Sequence, residues 1–133
     1  MDRDSIAFLP ESLVLSVEEI DRQHGALFSL LADIKAACLR SNALPPELAA
    51  GLIDFLHEHF RTEERLAALA GYNFAVHDRK HLEMVSAIEK GLSEVVTEAQ
   101  DVFSVLRYVE YWFERHIAEE DRPLGAFLRR TVR

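Results

Sequence analysis

The chain has few of the residues that interrupt regular structure or cross-link a fold. Among its 133 residues there are five glycines, four prolines and one cysteine. The lone Cys38 excludes an intrachain disulfide, and we interpret it as a small core residue because it shares an apolar helical stripe with Leu31 and Ile34. The sparse glycine and proline, together with the lack of any sustained apolar–polar alternation, indicate helices rather than strands.

Positive charge and long apolar runs are lacking as well. Fifteen Lys and Arg against 23 Asp and Glu leave a formal net charge of −8. Phosphate binding needs clustered Lys and Arg, so this balance argues against a nucleic-acid partner and against an anionic membrane surface. The N-terminal segment carries Asp2, Arg3 and Asp4 and shows no pattern of a secretory signal or a transmembrane span. We therefore expect a cytoplasmic protein.

Helical periodicity is the main pattern in the chain. Apolar residues recur three or four positions apart in four segments: 18–40, 46–70, 74–97 and 102 to about 121. Pro46 suits the first turn of the second helix and Gly71 suits its C-terminal end. Asn73 and Asp101 can cap the third and fourth helices. The pattern therefore predicts four helices with defined ends.

The short connections between these segments determine the predicted fold. Helices of about 20 residues are roughly 30 Å long, and short turns make consecutive helices antiparallel. We therefore expect an all-α, antiparallel up-down-up-down four-helix bundle with an N-terminal arm. The chain length suits one domain over 1–133. Its parts are an arm at about 1–17, a bundle at about 18–121 and a C-terminal turn at 122–133.

Five of the six histidines fall on the apolar stripes, where polar side chains are unusual. These five are His24, His59, His77, His81 and His116. Glu63 follows His59 by four residues and so shares its helix face. The sixth histidine, His57, lies two residues from His59, about 200° around the helix, so we expect it to face solvent and assign it no role.

A single histidine on an apolar face is more often a hydrogen-bonded core residue than a metal ligand. In an antiparallel bundle, however, all five histidines and Glu63 fall at the same end of the molecule. Each of these side chains would cost about 2–7 kcal/mol if it were buried without a hydrogen-bond partner. A metal ion converts that cost into ligand bonds. The sequence therefore predicts a metal site at this end of the bundle.

Asp121 follows His116 by five residues, which in a regular α-helix turns it about 140° away from the His116 face. We expect Pro123 to disfavour α geometry at Arg122 and to end the helix there. A loosened, π-like last turn would bring Asp121 back beside His116. The alternative is a solvated acidic residue at the helix end.

Four short motifs, one per helix and in order, resemble the ligand motifs of the hemerythrin family. They are IDRQH (20–24), HFRTEE (59–64), HDRKH (77–81) and HIAEED (116–121). Trp112, four residues before His116, and Gly71 with Tyr72 after the second helix are also similar to family features. The resemblance spans about 17–124, nearly the whole chain.

The resemblance implies a non-haem di-iron centre, with two iron ions joined by a bridging oxo or hydroxo group. His77, His81 and His116 would complete one iron, His24 and His59 the other, and Glu63 and Asp121 would bridge them. One coordination position then stays open, on the iron held by two histidines. Imidazole and carboxylate ligands without thiolate fit iron, and they also fit manganese or zinc.

Four apolar side chains are candidates for the surroundings of the open position: Leu27, Trp112, Phe113 and Ile117. They would line a dry pocket that slows autoxidation, and the same residues are also suited to ordinary core packing.

Two acidic residues each precede a ligand histidine by three positions. Asp21 and Asp78 could orient His24 and His81 as hydrogen-bond acceptors. Solvated surface acids are the interpretation that we favour for both.

Reversible dioxygen binding for storage, delivery or sensing is the function that the resemblance favours. The histidine-rich set differs from carboxylate-rich di-iron bundles, whose Glu-x-x-His pairs accompany oxidation chemistry. A di-iron peroxidase, nitric oxide-handling or oxidase-type enzyme is the first alternative, and an iron-storage or structural zinc bundle is the second. Candidate ligands are dioxygen and also peroxide, nitric oxide or azide-like anions.

Overall fold

The computed structural model describes residues 9–41, 43–97 and 101–131, and the described residues are mostly helical. The helices are α1 (Glu18–Ser41), α2 (Pro46–Ala70), α3 (Ala75–Val96), α4 (Val102–His116) and α5 (Arg122–Thr131). A 3-10 turn (Glu11–Leu13) precedes α1, and a five-residue π-helical turn (Ile117–Asp121) joins α4 to α5. Within the described ranges, no helix has an apolar stretch that could cross a lipid bilayer.

Helices α1 to α4 form the predicted all-α four-helix bundle. Helix α1 packs against α2 and α4, and α3 packs against the same two helices, so each has two neighbours around a common core. The predicted apolar stripes supply that core, with Ile34, Leu52, Ile88 and Val109 all but fully buried. Cys38 is buried among them, which confirms its interpretation as a core residue, and burial raises the pKa of its thiol.

The helix ends largely follow the predicted signals. Gly71 ends α2 in the left-handed region (φ 78°), where a side chain would be strained. Asp101 caps α4, and its carboxylate accepts a hydrogen bond from the backbone N–H of Ser104 at 3.1 Å. Helix α3 begins at Ala75, one residue later than predicted, and the Asn73 side chain accepts a hydrogen bond from the Ala75 N–H at 3.2 Å.

The prediction that Pro123 ends the last helix is wrong. Arg122 has α-helical angles (φ −62°, ψ −47°), and α5 continues for ten residues in place of the predicted short turn. The reason is the π-helical turn before it, in which the Arg122 N–H donates to the carbonyl of Ile117, five residues back. This change of register lets a new helix start at Arg122, and proline is tolerated in the first turn of a helix.

The described part of the N-terminal arm packs against the bundle. Leu9, Leu13 and Leu15 are buried in the same core as the helices. Arg129 of α5 donates a hydrogen bond to the carbonyl of Leu15. Residues 1–8 of the predicted arm lie outside the described residues.

Asp21 has a different role from either one that we predicted. It is neither a solvated acid nor a partner of His24, because its buried carboxylate accepts the backbone N–H of Leu15 at 2.9 Å and of Ser16 at 3.0 Å. Ser16 has a positive φ of 62°, which marks the sharp turn between the arm and α1. Asp21 therefore stabilises the junction of the arm with the first helix.

Candidate metal centre

The structure brings all seven predicted ligand residues together at one end of the bundle. They come from α1 (His24), α2 (His59, Glu63), α3 (His77, His81), the end of α4 (His116) and the π-helical turn (Asp121). None is more than 4% exposed. The π-helical turn predicted between His116 and Asp121 is present, and it keeps both side chains on the inner face.

Five of the residues form a first ligand group, which we call group A: Glu63, His77, His81, His116 and Asp121. Glu63 Oε1 lies 3.2 Å from the Nε2 atom of His77 and 3.0 Å from that of His81. Asp121 Oδ1 lies 2.8 Å from the Nε2 atom of His77 and 3.2 Å from that of His116. Three imidazoles and one oxygen of each carboxylate therefore surround one point.

The other two histidines form group B with the same two carboxylates: His24, His59, Glu63 and Asp121. Glu63 Oε2 lies 3.1 Å from the Nε2 atom of His59 and 3.5 Å from that of His24. Asp121 Oδ2 lies 3.0 Å from the Nε2 atom of His24. Each carboxylate thus offers one oxygen to each group, which is the arrangement of a ligand that bridges two metal ions.

The arrangement of these donor atoms suits metal ligation better than it suits hydrogen bonds among the side chains. Both carboxylates, and the Nε2 atoms of His24, His59 and His77, have no hydrogen-bond partner among the described residues. Such buried, unpaired polar groups cost about 2–7 kcal/mol each. In an octahedral complex with bonds of about 2.1 Å, adjacent donor atoms lie about 3.0 Å apart, close to the separations found here. The cluster is therefore a metal-binding site.

Electrostatics within the cluster also favour cations. Burial opposes the protonation of His24 and His116, but their contacts with the carboxylates outweigh burial and raise the pKa of His24 to about 9 and that of His116 to about 10. Burial likewise opposes ionisation of Glu63 and Asp121, yet the surrounding histidines lower the pKa of both carboxyls. Without metal, the carboxylates therefore stay anionic, and protons on the histidines balance part of their charge.

Two further residues accept hydrogen bonds from the Nδ1 atoms of ligand imidazoles, on the side of the ring away from the cluster. The sequence predicted neither of them. The Nδ1–H of His59 donates to Gln23 Oε1 at 2.6 Å, and Gln23 Nε2 donates to Thr62 at 3.0 Å. The Nδ1–H of His116 donates to Glu120 Oε1 at 2.8 Å. A spacing of four residues was the available signal for Glu120, whereas the contact of Gln23 crosses from α1 to α2 and has no spacing signal.

Three of the four predicted pocket residues are buried in the core. The Phe113 ring centroid lies 5.5 Å from that of His24 and 6.1 Å from that of His59, so Phe113 packs against both histidines of group B. It also lies 6.2 Å from the ring of His116 in group A. Leu27 and Ile117 belong to the same buried core and have no exposed surface.

Trp112 lies elsewhere than predicted. Its half-buried side chain lines a surface cavity of about 360 Å³, together with Lys80, Tyr111, Arg115 and Glu120. One turn before His116 on α4, the indole faces outward while Phe113 faces inward, because successive residues of a helix point about 100° apart. Trp112 therefore borders the outer side of His116 rather than a dry pocket at group B.

The residues assigned no ligand role behave accordingly. His57 is exposed on α2, as its spacing from His59 predicts. Asp78 is half-buried and is not the acceptor for His81, whose Nδ1 atom has no hydrogen-bond partner among the described residues.

Comparison with protein families agrees with this geometry. A family model described as the hemerythrin HHE cation binding domain matches residues 15–128, a range that includes all seven cluster residues. Neither a search of curated proteins nor a search of solved structures found a match. The match covers well over half of the chain, and the chain therefore belongs to the hemerythrin family.

Proposed function

We propose that the protein holds two iron ions, one in each ligand group, and binds dioxygen reversibly at the ion in group B. The observation that carries the proposal is the unequal division of the histidines. Group A has three histidines and group B has two, while both share Glu63 and Asp121.

The count of donor atoms leaves one position vacant. Group A offers five protein donors and group B offers four, because each carboxylate contributes one oxygen to each group. A bridging oxo or hydroxo group would add one donor to each ion. The ion in group A would then have six donors and the ion in group B would have five. One coordination position in group B is therefore left for a small ligand.

The composition of group A favours iron over structural zinc. Structural zinc sites have four ligands in a tetrahedron, and five protein donors exceed that number. Imidazole and carboxylate donors suit ferrous and ferric ions. A pair of ferrous ions would supply the two electrons that dioxygen takes up when it binds.

The apolar core in which group B lies suits reversible binding. Phe113 packs against the rings of both group B histidines, and Leu27 and Ile117 lie in the same buried core. An apolar, low-dielectric environment makes separation of charge costly. These residues would therefore hinder the loss of dioxygen as a charged, reduced product, which is the event that converts a carrier into its inactive oxidised form.

An oxygenation cycle tests the proposal. Metal-free protein would be loaded with ferrous iron under argon, analysed for iron, and followed by visible absorption as air and argon alternate. We expect two iron ions per chain and an absorption band that appears in air and disappears under argon. Azide should bind to the oxidised protein and block the same position.

Other outcomes would overturn the proposal in distinct ways. Permanent oxidation on the first exposure to air, with turnover of peroxide or nitric oxide, would identify an enzyme. Two zinc ions per isolated chain, with no affinity for iron, would identify a structural bundle. The ligand assignment in group B can be tested with His59→Ala, and His57→Ala is the matched control. Both histidines lie on α2, but only His59 belongs to the cluster.

A further inference from the structure

The two ligand groups differ in the residues that accept hydrogen bonds from the Nδ1 atoms of their histidines. In group A, the Nδ1–H of His116 donates to the carboxylate of Glu120 at 2.8 Å. In group B, the Nδ1–H of His59 donates to the side-chain amide oxygen of Gln23 at 2.6 Å. The Nδ1 atoms of the other three ligand histidines have no hydrogen-bond partner among the described residues. Each group therefore has one supported imidazole, and only the support in group A can carry a negative charge.

A charged acceptor changes an imidazole more than a neutral one does. A hydrogen bond to a carboxylate is shorter and roughly twice as strong as one to an amide oxygen. It pulls the Nδ1 proton away from the ring and so raises the basicity of Nε2, the atom that faces the metal. Stronger donation stabilises the more highly charged ferric ion. The ion ligated by His116 therefore gains ferric stability from Glu120 that the ion ligated by His59 does not gain from Gln23.

We propose that Glu120 is a positioning residue that orients His116 and, through its charge, makes the metal ion of group A easier to oxidise than the ion of group B. The part concerning oxidation rests on the proposed di-iron function. The part concerning metal affinity does not, because it applies to any divalent ion in group A.

The position of Glu120 suits this role. Its side chain is 20% exposed, whereas that of His116 is fully buried. It lines the surface cavity together with Lys80, so solvent reaches one side of the carboxylate. Glu120 can therefore remain charged and solvated on one side while it holds a buried ligand on the other, which avoids the cost of burying an additional anion.

The first test uses Glu120→Gln with Glu119→Gln as its matched control. Glutamine keeps an acceptor oxygen for His116 and removes only the charge. Glu119 is the neighbouring acid, and it is exposed and paired with Arg115 at 2.9 Å, not with a ligand. Cobalt(II) titration of the metal-free proteins should show one of two sites weakened by about 10- to 100-fold in Glu120→Gln, with both sites unchanged in Glu119→Gln.

The second measurement is the reduction potential of the iron-loaded proteins. Glu120→Gln should raise the potential of one iron, and each tenfold loss of ferric stability corresponds to a rise of about 59 mV. A role in packing alone would not move the potential of one iron selectively. Equal effects of Glu119→Gln and Glu120→Gln, or no effect of either, would overturn the proposal.

Gln23→Glu gives the mirror experiment in group B. It places a carboxylate behind His59, so we expect the potential of the other iron to fall. A fall would support charge on the acceptor as the cause, and no change would contradict it. If dioxygen does not bind reversibly but Glu120→Gln still weakens one cobalt site, the proposed function fails while the assignment of Glu120 stands.

Discussion

The two ends of the bundle are equally buried but contain opposite chemistry. Toward one end, Ile34, Leu52 and Ile88 pack side chains that have no polar atoms. At the other end the same helices bury five imidazoles and two carboxylates, several of whose polar atoms have no hydrogen-bond partner among the described residues. The helical scaffold is thus common to both ends, and what differs is the source of stability.

Burial stabilises only the apolar end by itself. Removing apolar surface from water contributes about 25 cal/mol per Å², whereas burying unpaired polar groups has a cost. At the other end, ligand bonds must offset that cost. The metal is therefore part of the folded structure at that end, and the contributions of apolar burial and of metal binding can be measured separately.

The largest expected effect is at the shared ligands. Glu63→Ala removes one oxygen from each group, so we expect loss of both metal ions from the isolated protein, measured as metal content per chain. His77→Ala should likewise prevent binding of the pair. Iron content like that of the unmodified chain in either variant would contradict the ligand assignment.

Removal of the metal should separate the two ends energetically. At a free metal concentration a thousandfold above Kd, binding stabilises the folded state by about 4 kcal/mol, so chelation should lower the melting temperature substantially. Leu52→Ala, at the apolar end, should cost about 2–5 kcal/mol by a route independent of the metal.

Thermal unfolding of both proteins, with and without metal, tests this independence. Additive effects are expected, because Leu52 is not among the cluster residues. A Leu52→Ala cost that appears only in the metal-free protein would show that the two ends are not separable.

Metal affinity should rise with pH. Without metal, the carboxylates raise the pKa of His24 to about 9 and that of His116 to about 10, after opposing the effect of burial. Both histidines hold a proton at pH 7 that a metal ion must displace, so binding releases protons. We expect apparent zinc affinity to increase between pH 6.5 and 8, by up to about tenfold per pH unit for each proton released.

Proton release can be followed with a pH indicator in weakly buffered solution during the zinc titration. A flat affinity across this range, with no release of protons, would show that the histidines are already neutral in the metal-free protein.

The smallest effect is expected at His57. It is exposed on α2, two residues from His59, and belongs to neither ligand group. His57→Ala should change the free energy of unfolding by less than about 0.5 kcal/mol and leave the metal content unchanged. A loss of metal in this variant would show that the metal site includes the His57 face of α2, contrary to the ligand assignment.

The bundle and the cluster could be predicted from the sequence because helical spacing alone defines a face. Residues four apart, such as His77 and His81, must share a side of the helix. Antiparallel topology then brings the four inward faces to one level. The inward position of Asp121 was one of two predicted alternatives, because a five-residue spacing from His116 needs a π-helical turn to return it to the inner face.

The remaining features depend on contacts between elements, for which spacing has no signal. Gln23 on α1 accepts a hydrogen bond from His59 on the neighbouring α2, and Asp21 accepts hydrogen bonds from backbone N–H groups of the arm. The helical continuation past Pro123 required knowing that the π-helical turn resets the hydrogen-bond register. Trp112 was misplaced because a stripe pattern does not define how far toward solvent its edge residue lies.

Seven side chains are expected to hold a pair of metal ions. Anomalous diffraction at the iron edge, from crystals of protein loaded under argon, would locate those ions. We predict two peaks about 3.5–4 Å apart, one nearest His77, His81 and His116 and the other nearest His24 and His59. A single peak, or iron bound outside this cluster, would contradict a di-iron centre held by these seven residues.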